Sequence, residues 1–192
     1  MSSALIRSSL QEASRCLAIV LADEALQATL SSLTSRLVDT FNAGGKVLAG
    51  GNGGSMADAM HFAEEWTGRF KKDRKPFPAL AMSDPTHWTC VGNDYGFEYG
   101  FSRMVEAFAK PGDVVLLLST SGNSKNLLLA AESARAAGAH VVGFLGRGGG
   151  SLAPLCDTVF MAPGETSDRI QEIHMMCLHI LIEATEVELG VA

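Results

Sequence analysis

Three groups of residues have types and spacings that could do chemistry. The first is Ser119-Thr120-Ser121-Gly122-Asn123-Ser124, four hydroxyls between the apolar run 114–118 and a helical pattern that starts at Lys125. Free N–H groups and the dipole at a helix N-terminus favour an anion. Hydroxyls can donate to phosphate oxygens without bringing charge. One hydroxyl would suffice for a helix cap, so four point to a phosphate. No lysine completes a nucleoside-triphosphate loop, which favours a sugar monophosphate over a nucleotide.

The second group is His61 and Glu65, four apart on a predicted helix and so about 5–6 Å apart at Cβ. Imidazole and carboxylate at this spacing suit a metal. The same pair is commonly a plain surface partnership, and the spacing alone leaves both readings open. The third group is Gln171, His174 and His179 on the last helical segment. Gln171 and His179 differ by eight positions and fall within about 80° of each other. His174 points elsewhere, and it reads as a satisfied core histidine. A fourth feature, Gly50-Gly51-Asn52-Gly53-Gly54-Ser55, is neither a Walker loop nor a dinucleotide fingerprint, since Met56 stands where the third small residue belongs. Its glycines allow close backbone approach to a ligand or serve a plain tight turn.

The elements that must position these residues follow from periodicity. Helices are predicted at 5–22 and 25–41, with Leu26, Leu30, Leu33, Leu37 and Phe41 at helical spacing in the second. Strands are predicted at 46–49, 78–82, 114–118, 141–145 and 158–161. Helices are predicted at 55–67, 97–109, 125–137 and 168–189. The uninterrupted apolar run 114–118 marks a strand buried on both faces. Strand and helix alternate, which calls for an α/β fold: a doubly wound parallel sheet with helices on both faces. In such sheets ligands bind beyond the carboxyl ends of the strands, where the glycine-rich and serine-rich loops fall. The chain reads as one domain, with residues 1–43 as N-terminal helices and 44–192 as an α/β body. The first two helices and the last are long for so small a sheet and are expected to pack against other copies of the chain.

Composition narrows the function. The chain has 192 residues, 47% hydrophobic, with 20 glycines and 6 prolines, as a globular domain with a core requires. Its net charge of −6 argues against non-specific nucleic-acid binding. The basic stretch Arg69, Lys71, Lys72, Arg74 and Lys75 reads as a solvated loop or as a rim that steers an anionic substrate. Cys16, Cys90, Cys156 and Cys177 lack metal-type spacing and read as buried thiols of a reducing compartment. No signal peptide or membrane span is evident, so a cytoplasmic place is expected.

Together these residues resemble the bacterial phosphoheptose isomerases, sugar-isomerase (SIS) fold proteins. The resemblance rests on Gly51-Asn52-Gly53-Gly54-Ser55, Asp58-Ala59-Met60-His61-Phe62-Ala63-Glu64-Glu65, Val91-Gly92-Asn93-Asp94, Ser119 to Ser124, and Asp168-Arg169-Ile170-Gln171-Glu172-Ile173-His174. It implies a five-stranded parallel, flavodoxin-like sheet in a homotetramer with sites at subunit interfaces. It also implies interconversion of sedoheptulose 7-phosphate and D-glycero-D-manno-heptose 7-phosphate, the first step towards the heptose of lipopolysaccharide cores and related glycans. By the same resemblance Ser119, Thr120, Ser121 and Ser124 hold the phosphate, while Asn52, Gly53, Gly54, Asn93 and Asp94 line the sugar site. His61, Glu65, Gln171 and His179 match the family's zinc ligands, one Zn2+ per subunit. Glu65 and His179 are the expected proton-moving groups, with Asp168 as an auxiliary acid or base.

Two other classes share the fold. One is a paralogue that associates with the replication initiator and has no isomerase role. The joint presence of His61, Glu65 and His179 favours the enzyme over it. The other is a sugar-phosphate-sensing regulatory domain, usually fused to a DNA-binding module, and no such module is seen in these 192 residues.

Overall fold

A computed structural model describes residues 2–192. Two helices come first, α1 (Ser2–Ala22) and α2 (Glu24–Asn42). They meet at Asp23, whose carboxylate accepts from the N–H groups of Ala25 and Leu26 at 2.9 and 3.1 Å. This cap satisfies two of the orphan donors at the start of α2. The body then runs β1 (Val47–Gly51), α3 (Gly54–Thr67), β2 (Ala79–Ala81), α4 (Pro85–Asp94), α5 (Gly100–Phe108), β3 (Val114–Ser119), α6 (Lys125–Ala136), β4 (His140–Leu145), β5 (Thr158–Met161) and α7 (Ser167–Glu188).

The five strands form one parallel sheet in the order β2-β1-β3-β4-β5. Strand order reverses between β1 and β3, which leaves a crevice at their carboxyl ends. Pairing of Gly51 with Leu118 and of Ser119 with Leu145 brings the two polar loops side by side there. Successive strand residues face opposite sides of the sheet. Val114, Leu116 and Leu118 pack with Leu37, Phe62, Trp66 and Leu181 beneath α2, α3 and α7. Val115 and Leu117 pack with Phe101, Val105, Leu127 and Ala130 beneath α5 and α6.

The structure departs from the sequence reading in several places. Helix α4 was not expected, because among its residues only Val91 is buried and no apolar stripe shows. Its start is encoded instead by Asp84, whose side chain accepts from His87 N at 2.7 Å, and by Pro85 in the first turn. The predicted helix 97–109 divides into a 3-10 turn, Phe97–Tyr99, and α5. Cys90 is exposed rather than buried, and Cys156 is half-buried. Burial pushes the Cys156 and Cys177 thiols up to about 12, so neither is a ready nucleophile.

The basic stretch also needs correcting. Lys71 is exposed and pairs with Glu183, but Arg74 is buried against Glu186, with 2% and 3% of the two side chains exposed. Arg74 is therefore neither a solvated loop residue nor a steering charge.

Helix α1 buries only Cys16 and Val20 of its apolar residues, and leaves Leu5, Ile6, Leu10, Leu17 and Leu21 exposed in the single chain. Among the described residues no single helix is long and apolar enough to cross a membrane.

His174 is fully buried, as the sequence reading expected, but only one of its two ring nitrogens is satisfied. Its Nε2–H donates to the Leu145 carbonyl at 3.2 Å, and its Nδ1 meets no partner. Burial pushes its pKa down from 6.5 to about 4. The unfolded chain therefore binds this proton between those values and the folded chain does not, so stability is lost as pH falls through the window. A shift of this size corresponds to about 3 kcal/mol. Denaturant titrations between pH 7 and pH 4 should show it. In His174→Gln the proton uptake on unfolding should fall by about one, and an unchanged uptake would contradict the assignment.

Candidate active site

The crevice between β1 and β3 is floored by a hydroxyl-lined cup of about 200 Å³, formed by Asn52, Ser55, Ser119, Thr120, Ser121, Ser124, Ser167 and Gln171 around Leu118. Each of the four predicted phosphate-loop hydroxyl residues lines it. Ser119 is mostly spent on the loop itself, since its Oγ accepts from Gly122 N at 2.9 Å. Thr120 Oγ1 lies 3.0 Å from Ser167 Oγ across the mouth. Ser124 is the residue before α6, and its side chain makes no capping hydrogen bond. The first N–H groups of α6 thus lack a side-chain cap, and the site offers both those donors and the helix dipole to an anion.

A second loop, 146–151, braces this one from behind. Gly146 N donates to Ser119 O, Leu152 N to Gly122 O, and Ser151 N to Asn123 Oδ1. Arg147 donates from Nε to Thr120 O at 3.1 Å. A Cβ built on Gly122 would lie 1.8 Å from Gly149 O, so the two loops interlock through a position with no room for a side chain.

On the β1 side, Asn52 and Asn126 exchange amide hydrogen bonds at 3.0 and 2.8 Å. Asn126 is buried on α6, so this pair ties the glycine-rich loop to the helix that would receive the phosphate. Gly53 and Gly54 lie exposed at the start of α3. A Cβ on Gly54 would fall 2.7 Å from Gln171 Oε1, which shows how closely α7 crosses this loop. Gln171 Nε2 donates to Ser55 Oγ at 3.2 Å.

The second centre joins α3 to α7. His61 Nε2 lies 3.4 Å and His179 Nε2 lies 3.6 Å from Glu65 Oε1. The two imidazoles meet edge to face at 5.1 Å between centroids, and Phe70 stacks on His179 at 5.9 Å. Glu65 is buried, and its Oε2 has no hydrogen-bond partner. Burial raises the Glu65 pKa, and the neighbouring His179 and His61 oppose the rise. A carboxyl lifted in this way is a better proton acceptor than an ordinary one at neutral pH.

Of the four residues expected to share a metal, the structure brings three together. His61, Glu65 and His179 each offer a ligand atom within 4.8 Å of the others. Gln171, the fourth, lines the cup, where its Nε2 donates to Ser55 Oγ.

Asp168 sits exposed at the start of α7. Hydrogen bonds from Thr166 and Arg169 hold its pKa at about 2. Asn93 and Asp94 lie exposed in the last turn of α4, where Asn93 Nδ2 donates to Asp94 Oδ1 at 2.7 Å, and neither lines the cup of its own chain. Four contributors were not singled out in the sequence. Ser55 and Ser167 line the cup, Asn126 fixes Asn52, and Arg147 fixes Thr120. Ser55 lay within a quoted motif, while Asn126 carried no local signal.

A hydroxyl cup at the switch point of a doubly wound parallel sheet, with a helix N-terminus opening on it, suits an anion such as a phosphate. The family described as SIS domain matches residues 10–146. A phosphoheptose isomerase of Edwardsiella ictaluri is 49% identical over 187 residues, 97% of each chain. One from Fusobacterium nucleatum is 56% identical over 154 residues, 80% of this chain and 79% of that one. The solved structure of a phosphoheptose isomerase from Neisseria gonorrhoeae superposes with a TM-score of 0.91 at 32% identity, covering 97% of this chain and all of that one. The chain belongs to the phosphoheptose isomerase family.

Proposed function

We propose that this protein is an aldose–ketose isomerase that converts sedoheptulose 7-phosphate to D-glycero-D-manno-heptose 7-phosphate. The observation that carries the reading is the buried Glu65 carboxylate, raised by burial and flanked by His61 and His179. It accompanies a hydroxyl-lined cup of about 200 Å³, with the Arg147 guanidinium donating to the Thr120 hydroxyl. The full-length relatives that share half of its residues bear the name of this activity.

The cup grips the phosphate through Thr120, Ser121 and Ser124 and the N-terminus of α6, while Ser119 holds the loop in shape. This fixes the end of the substrate remote from the reacting carbons, and remote binding energy lowers the entropic cost of alignment. Isomerisation moves a proton between C1 and C2 through an enediol. Glu65 takes the carbon-bound proton and returns it to the neighbouring carbon. His179 serves the substrate oxygens, giving and taking the proton that converts carbonyl to hydroxyl. Its ring is held for this by the stack with Phe70. Asp168, next to Ser167 of the cup, is a candidate auxiliary acid or base.

The triad also suits zinc. Two imidazoles and a carboxylate are a common donor set for that ion, and both imidazole Nε2 atoms converge on Glu65 Oε1, at 3.4 and 3.6 Å. His61, Glu65 and His179 would hold it, and Glu65 and His179 would then move protons only while detached from the ion. Bound there, zinc would supply Lewis-acid polarisation of the substrate carbonyl.

The product would feed activated-heptose synthesis for lipopolysaccharide or related glycans in the cytoplasm. The exposed apolar face of α1 supports assembly into a tetramer, and Asn93 and Asp94 of one copy would then be free to complete the site of another. The replication-initiator-associating alternative is not favoured, because the triad is intact and the relatives are isomerases.

An assay on sedoheptulose 7-phosphate, run with chelator and with added zinc, tests the reading. Conversion should fall at least ~10-fold on chelation and return with zinc. Conversion indifferent to both would remove zinc from the account, and no conversion in any condition would remove the activity.

A further inference from the structure

The triad is assembled from two helices that do not touch through it alone, so something must set their separation. Residues 68–78 run from the end of α3 to the start of β2 without regular structure, and they lie across α3 and α7. Within this segment Phe70 stacks on His179, Lys71 pairs with Glu183 of α7, and Arg74 enters the interior. The Arg74 guanidinium donates from Nη2 to the backbone carbonyl of Glu65 at 2.8 Å and from Nη1 to that of Trp66 at 2.9 Å. Its Nε donates to Glu186 Oε1 of α7 at 2.5 Å. The rings of Trp66 and Phe77 face it at 5.5 and 5.0 Å.

We propose that Arg74 is a positioning residue of the active site, a clamp that fixes Glu65 on α3 relative to His179 on α7. Three facts carry this. The guanidinium holds the peptide carbonyl of Glu65 itself, so it acts on the backbone that carries the base. It caps the carbonyl end of α3, where a cation is favourable. And its third bond ends on α7 seven residues beyond His179, on the helix that carries the other half of the triad. A buried ion pair is a poor source of stability beside apolar packing, but its fork geometry is directional. Lysine cannot reproduce that fork, since it offers a point charge in place of fixed parallel donors.

The inference rests on the isomerase reading, and the test separates the two. Arg74→Lys and the apolar pair Arg74→Met with Glu186→Leu are compared with the unaltered protein. Turnover of sedoheptulose 7-phosphate, zinc affinity by chelator competition, and the denaturation midpoint are read for each. In folded variants kcat and zinc affinity should each fall ~10-fold or more, as for residues that orient a metal or catalytic group. KM should stay within about two-fold, because the phosphate cup does not depend on the clamp. Folded variants with kcat and zinc affinity within two-fold of the unaltered protein would overturn the proposal. Unfolding of both variants, with activity lost only in proportion to the unfolded fraction, would reduce Arg74 to a stability element and overturn it equally. If the unaltered protein neither turns over substrate nor binds zinc, the isomerase reading fails and takes the clamp's catalytic role with it.

Discussion

Glu65→Gln should lower kcat by about 10²–10⁴, the usual worth of a positioned general base, while KM changes by no more than a few-fold. The amide has the shape of the carboxylate but cannot accept the carbon-bound proton. Substrate should still bind, because the hydroxyls proposed to grip the phosphate, those of Thr120, Ser121 and Ser124, lie on another loop. The variant should be at least as stable as the parent. Burial penalises the charged form of Glu65, and the amide removes that penalty. Loss of activity with stability unchanged or increased is a signature that a merely structural residue would not give. Steady-state kinetics beside a denaturant titration reads both, and a kcat within ten-fold of the parent would remove Glu65 from its role.

Gly122→Ala should have the second-largest effect, through the substrate cup. Gly122 has φ +65, and its missing Cβ would stand 1.8 Å from the backbone oxygen of Gly149. Left-handed backbone costs a non-glycine residue about 1–2 kcal/mol, and forcing the two interlocked loops apart adds about 1–3 kcal/mol. Stability should therefore fall by about 2–5 kcal/mol. Because the displaced loop carries the phosphate donors, KM should rise ~10-fold or more with kcat less affected. Gly148→Ala is the matched control. It has φ +79 but open space around it, so only the backbone cost should appear, with KM unchanged. Equal KM values in the two variants would contradict the interlocking.

Much of the molecule is legible in the sequence because burial and periodicity are written locally. The apolar run 114–118 could only be a doubly covered strand, and the serines after it could only lie at its carboxyl end. His61 and Glu65 announced a shared face through their spacing. What failed did so for physical reasons. Helix α4 lacks an apolar stripe, and its cap and proline are weaker signals than periodicity. Arg74 lay in a run of charges that usually means solvent, and only the tertiary structure shows Glu186 and two carbonyls waiting for it. The pairing of Asn52 with Asn126 spans 74 residues and could not be read from either neighbourhood.

We propose that Glu65, buried between His61 on α3 and His179 on α7, isomerises a heptose phosphate held in the β1/β3 crevice. The most direct measurement follows sedoheptulose 7-phosphate by NMR with the protein and with Glu65→Gln, both supplied with zinc. The account predicts conversion to D-glycero-D-manno-heptose 7-phosphate by the protein and none above background by the variant. No conversion by the protein, or conversion at the same rate by both, would contradict it.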